Sequence, residues 1–178
     1  MLRGRKARRL AVGLVLGMGL IAADWYLANR EMNNVLTAME ASEAALVAAD
    51  DGLDAAVEAS VANDDGRLDP PEERALERLV PEAARQALPA VVEAAADVED
   101  VMIFPWHTTL DRARDRYLDH SDAWEARLTR VAGDYRQLAA PSTDIATTFA
   151  RSARTTEQAL RPLPLFDATQ RIDAIYAQ

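Results

Sequence analysis

The stretch 61–72, "VANDDGRLDPPE", gathers Asn63, Asp65, Asp69 and Glu72 around Gly66 and Leu68. Hard cations bind through carboxylate and carbonyl oxygens, so this is the first place in the chain where site chemistry could occur. The same residues have a second use that needs no ion. Asp69 suits a helix N-cap, Pro70 the first helical position, and Glu72 the closing partner of a capping box. Gly66 then makes the turn that precedes the helix. Capping is the primary reading and cation binding the alternative.

Numbered from Val61, the stretch sets Asn63 at the third position, Asp65 at the fifth and Gly66 at the sixth. Leu68, Asp69 and Glu72 follow at the eighth, ninth and twelfth. Over these twelve residues it resembles the calcium loop of the EF-hand family, which implies calcium as the cation and Asn63, Asp65, Asp69 and Glu72 as its ligands. It departs from that pattern at the first position, where Val61 brings no oxygen, and a site short of a charged ligand binds weakly. An echo, "VAADDGLDAAVE" at 47–58, shares Asp-Asp-Gly and the final glutamate but has fewer ligands.

His107 and His120 are the chain's two histidines. On one helix, thirteen residues turn through roughly 220° beyond whole circles, so these two do not share a face. His107, Asp111 and Asp115 do share one, which reads as a polar, solvated strip at a helix entrance. The acids Glu93, Asp97, Glu99 and Asp100 read as a wet surface. The chain has no cysteine, and it has no Gly-x-Ser-x-Gly elbow, phosphate loop or HExxH motif. No catalytic residue is assigned, and the expectation is a protein without enzymatic activity. Trp, Arg and Tyr are the usual anchors of interfaces, which makes Trp106, His107, Arg112 and Arg116 the candidate partner-binding residues. Tyr117 and Trp124 are expected in the core instead.

The elements that hold these residues follow from charge and hydrophobic pattern. Net charge is −9, yet residues 1–9 carry five basic side chains and no acid. The body is therefore acidic and repels nucleic-acid phosphates. Residues 10–23, "LAVGLVLGMGLIAA", form one apolar run, followed by Trp25 and Tyr26. As a helix, 10–28 is about 28 Å long, close to the ~30 Å of a bilayer's hydrocarbon core. The aromatic pair falls at the level of an interfacial belt, and the basic tip favours the cytoplasmic side. A retained anchor is expected rather than a cleaved signal, because Leu20 or Ile21 stands where cleavage requires a small residue. Gly13 and Gly17 form a small-xxx-small pair through which two such helices could dimerise.

The rest of the chain is expected to be helical throughout. Met32, Leu36, Met39, Leu46, Leu53 and Val57 form a stripe over 29–62, with a bend near Asp50-Asp51-Gly52. A second helical stretch over 70–100 contains Pro81 and Pro89, which predicts two or three pieces. Over 108–139, Leu110, Tyr117, Trp124, Val131 and Leu138 recur every seven residues, a heptad seam opened by a Thr108–Asp111 box. Pro141-Ser142 introduces a further helix, and Asp167 a short last one. The expected fold is all-α: a single transmembrane helix continuing into an antiparallel bundle of about four helices with proline kinks. The domains are a basic cytoplasmic tip (1–9), an anchor (10–28) and an extracytoplasmic bundle (29–178).

That organisation leads to a single-pass plasma-membrane protein with its bundle outside, acting as an interaction or scaffold subunit. Its expected partners are membrane lipid, another membrane or envelope protein, and a second copy through the membrane helix. The alternative is a calcium-responsive or ligand-sensing ectodomain using 61–72.

Overall fold

The computed structural model describes residues 2–61, 68–163 and 168–176, with side-chain surroundings from residue 18 onward except at 168 and 169. Five α-helices and a 3₁₀ turn make up the described residues, and no strand occurs among them. They are α1 (Leu2–Ser60), α2 (Pro70–Glu99), α3 (Thr108–Gly133), a 3₁₀ turn (Tyr135–Ala139), α4 (Thr143–Leu160) and α5 (Ala168–Tyr176).

The first helix is one rod of 59 residues. It is continuous through Asp50-Asp51-Gly52, where a bend was expected. A Cβ added at Gly52 would meet nothing within 4 Å beyond its own helix, and Ala49 and Leu53 on either side are packed into the core. That packing outweighs glycine's helix penalty of about 1 kcal/mol. The echo at 47–58 is therefore plain helix and not a loop. In α2, Pro81 and Pro89 both lie inside a single helix, where two or three pieces were expected. Leu76, Val80, Ala84 and Val91 seat one face of α2 in the core on both sides of the prolines. This shared face holds the helix together where the missing N–H groups weaken it.

At the start of α2 the capping box forms as the sequence suggests. Glu72 N–H donates to Asp69 Oδ1 at 2.9 Å, and Asp69 N–H donates to Glu72 Oε2 at 3.0 Å. The start of α3 differs from expectation. His107, not Thr108, is the cap residue, and no side chain caps the helix there. The His107 ring is drawn away into a contact with α1, and Asp111 turns to Arg114 at 2.7 Å. The helix also stops at Gly133, earlier than 139, and finishes in the 3₁₀ turn.

Two apolar clusters fix the helix directions. In one, Met32, Leu36 and Met39 of α1 meet Val98, Leu110, Tyr117, Leu160 and Ile175. In the other, Leu46 and Leu53 of α1 meet Leu76, Val80, Leu128 and Val131. The end of α2 thus packs on the earlier part of α1, and its beginning on the later part. It follows that α2 runs antiparallel to α1, and α3 turns back to run parallel with α1. In the same way α4 returns along α3. Fully burying a residue such as Leu36 or Leu128 stabilises by about 1.5–3 kcal/mol, so these seams carry the bundle.

A short α5 is tied down by polar contacts. Arg171 grips Glu40 with Nε at 2.6 Å and a terminal nitrogen at 2.9 Å, a fork geometry that fixes orientation. Tyr176 Oη lies 2.7 Å from Ser152 Oγ and 2.9 Å from Thr156 Oγ1 on α4.

From residue 18 to 26 every side chain of α1 is exposed, so the rod continues past the bundle. Among the described residues no helix is long and apolar enough to cross a membrane. The transmembrane helix expected at 10–28 finds no support there, and the side chains of 10–17, with Gly13 and Gly17, lie outside the described residues.

Candidate functional site

Both histidines project from α3 or its cap toward α1, and each meets a glutamate of that helix. The first pair is a clasp. His107 Nδ1 lies 2.5 Å from Glu31 Oε2, and Nε2 lies 3.3 Å from Asp24 Oδ1. Glu31 Oε1 also accepts the Phe104 N–H at 3.2 Å, and Asp24 Oδ1 accepts the Trp106 Nε1–H at 2.8 Å. The connector 101–107 is thereby fastened to α1 where the rod leaves the bundle. Burial disfavours the charged ring, but hydrogen bonds and charge from Glu31 and Asp24 outweigh it and raise the His107 pKa above its ordinary 6.5. The clasp therefore favours the imidazolium form of His107 over the neutral ring.

The second pair lines a cavity. Glu43 and His120 are both buried, with Glu43 Oε2 and His120 Nε2 separated by 3.9 Å, too far for a hydrogen bond. Tyr117 Oη donates toward Glu43 Oε2 at 3.2 Å and the Met39 carbonyl at 3.1 Å. Burial pushes the Glu43 carboxyl up to about 7 against the pull of the Tyr117 hydrogen bond. Burial pushes His120 down to about 4, although a bond to the Ile145 backbone carbonyl acts the other way. Near neutral pH the imidazole is uncharged and Glu43 holds its proton about half the time. The cavity beside them has a volume of about 300 Å³. Asp50 and Asp51 of α1 line it, with Trp124 of α3 and Ile145 and Phe149 of α4. Asp50 is raised by burial and by its acidic neighbours Asp54 and Asp51, with Arg127 pulling the other way.

A pocket of this size that mixes apolar walls with a few buried titratable groups is where small-molecule sites are usually found. The sequence reading did not single out Glu43 or Asp50. A signal for them exists in the α1 stripe. Residues 32, 36, 39, 46, 53 and 57 leave two gaps of seven, and Glu43 and Asp50 occupy the seam position inside each gap. Acids at core positions of a heptad stripe mark a polar site built into a seam. A second signal is register. Glu31 and Glu43 are twelve residues apart and His107 and His120 thirteen, so helices running parallel bring the pairs level with one another.

The residues named from sequence are distributed differently. Of the partner-binding candidates, Trp106 is 59% exposed and stacks on Phe104 with ring centroids 4.8 Å apart. His107 is buried in the clasp, so it presents no surface to a partner. Arg112 is exposed, and Arg116 pairs with Asp119 at 2.7 Å. The His107–Asp111–Asp115 strip is not assembled as a unit, because His107 faces α1 and both aspartates bind Arg114. Of the calcium-loop candidates, Asn63 and Asp65 lie outside the described residues, and Asp69 and Glu72 are engaged in the capping box. Among the described residues no group of three or more His, Cys, Asp or Glu side chains could hold a metal ion. Comparison with protein-family models, curated proteins and solved structures finds no match to this chain.

Proposed function

We propose that the protein is a membrane-anchored helical module, with residues 10–28 in the bilayer, the basic tip in the cytoplasm and the bundle outside as an interaction or scaffold domain. The observation that carries this reading is the continuity of α1. The helix holding the apolar run 10–23 is the same helix that supplies the central stripe of the bundle. No flexible joint separates anchor from core between Leu2 and Ser60, so the bundle is held at a fixed height and attitude.

The side chains at the exit of the rod support the same reading. Ile21, Trp25 and Tyr26 are exposed on α1, and Met102 and Trp106 are exposed on the connector clasped to it. Exposed apolar and aromatic side chains gathered at one end suit the level of lipid headgroups. The connector thus adds a second segment to the aromatic belt expected from Trp25 and Tyr26 alone. Held there, the acidic bundle offers its exposed faces to a neighbouring envelope protein.

Two measurements test the reading. Protease added to intact cells should digest the chain beyond Arg30, and protection until the cells are opened would reverse the orientation. Gentle cross-linking of intact cells should then recover a second envelope protein with this one, and recovery of this chain alone would remove the scaffold role.

A further inference from the structure

The cavity between α1, α3 and α4 has the chemistry of a small-molecule site, independently of where the bundle sits. Its acidic wall is made by Glu43, Asp50 and Asp51, and among the described residues no lysine or arginine lines it. Across from that wall are Phe149 and Trp124, whose ring faces attract cations; the Arg127 guanidinium already lies 5.7 Å from the Trp124 ring centre. An acidic wall alone would be a surface feature. The independent observation is His120, which is 1% exposed and whose Nε2 has no hydrogen-bond partner among the described residues.

The orientation of that ring defines what it lacks. Its Nδ1 lies 3.4 Å from Thr148 Oγ1, whose own proton is directed at the Asp144 and Ile145 carbonyls, so Oγ1 accepts and Nδ1 is the ring N–H. Nε2 of the neutral ring therefore carries the lone pair. A buried acceptor without a donor is costly. Glu43 Oε2 is too distant, at 3.9 Å, to supply one. The missing group is therefore a donor, placed between an imidazole lone pair and carboxylates and backed by aromatic rings. At about 300 Å³ the space exceeds what one or two waters need and sits at the lower end of ligand pockets.

We propose that this cavity binds a small organic ammonium ion, with His120 Nε2, Glu43 and Asp50 accepting from its N–H groups and Trp124 and Phe149 covering its apolar body. A cation favours the ionised form of Glu43, so binding expels the proton that Glu43 otherwise retains up to about 7. The groups facing Glu43 are Tyr117 and His120 from α3 and Tyr176 from α5, with Asp50 on its own helix. The α4 lining residues are Ser142, Ile145, Ala146 and Phe149, none of them titratable. Both tyrosines are raised above their ordinary value of 10, and His120 titrates near 4. Between pH 6 and 8 Glu43 is therefore the group that sets the affinity, and it weakens as pH falls.

The test is calorimetric titration of the full chain, in non-ionic detergent, with benzylammonium and butylammonium, and with benzyl alcohol and phenylacetate as neutral and anionic counterparts. At least one ammonium should saturate, with affinity falling about tenfold from pH 8 to pH 6. The neutral and anionic compounds should bind at least tenfold more weakly. Glu43→Gln should cost about tenfold at pH 8 and flatten the pH dependence; the pH series on the unaltered chain stands whether or not that variant folds. Absence of saturable binding by both ammonium ions, equal binding of benzyl alcohol or phenylacetate, or an affinity flat from pH 6 to 8 would overturn the proposal.

Discussion

His107 and His120 are cradled by the same two helical segments and each faces a glutamate of α1, yet their pKa values are displaced in opposite directions. At His107 the carboxylate is 2.5 Å away, a second acid reaches the other nitrogen, and the charged form of the ring is favoured. At His120 the carboxyl group is 3.9 Å away and is itself pushed up to about 7, so neither partner charges the other. Distance decides the outcome. Charge-assisted hydrogen bonds compensate for desolvation only at contact, and a separation of 3.9 Å leaves two buried groups that each favour the neutral form. The first arrangement fastens a connector to the rod. The second leaves a cavity with unmet hydrogen-bonding capacity.

Breaking the clasp should have the largest effect. Glu31→Ala removes the acceptor of His107 Nδ1 and of the Phe104 N–H, leaving only Asp24 on the ring, and should cost about 3 kcal/mol in urea unfolding. A cost below about 1 kcal/mol would mean that the clasp is not a charged pair. The cavity responds in the opposite sense. Glu43 keeps its proton in the fold up to about 7 and releases it near 4.5 when unfolded. Between those values the folded state binds the extra proton, so its contribution to stability falls as pH rises and is lost above 7. Glu43→Gln removes that loss, and the variant should gain on the unaltered chain by up to about 3 kcal/mol between pH 5 and 8. A stability difference constant across that range would contradict the buried, proton-holding carboxyl.

Smaller changes sharpen the contrast. Tyr117→Phe removes the hydroxyl that donates toward Glu43 and the Met39 carbonyl, and should cost about 1 kcal/mol. It should also raise the Glu43 pKa further, since that hydrogen bond holds it down; a Glu43 titration unchanged in the variant would deny the contact. Trp106→Phe keeps the stack on Phe104 and loses the exposed bond to Asp24, so denaturation midpoints should shift by no more than about 0.5 kcal/mol.

Much of the architecture was legible in sequence because it rests on apolar periodicity. The stripes of α1 and α3 and the Asp69–Glu72 box need only spacing and propensity, and they appear as read. The prolines of α2 misled because their local cost was weighed without the face that Leu76, Val80, Ala84 and Val91 bury across them. The Thr108 box failed for a related reason: the clasp between His107 and Glu31 bridges 76 positions of sequence and reorients the helix start. The cavity was hidden by the same habit of reading apolar residues alone. Glu43 and Asp50 registered as gaps in a stripe, although an acid in a seam is itself a signal. Trp106 is exposed, whereas its neighbour His107 turns inward.

The account depends most on two histidines of one chain having pKa values displaced in opposite directions, and they can be observed together. A proton–carbon NMR titration of the full chain should give two imidazole signals, one with a midpoint above 6.5 from His107 and one near 4 from His120. Two coincident titrations near 6.5 would mean that neither the clasp nor the buried cavity wall exists as described.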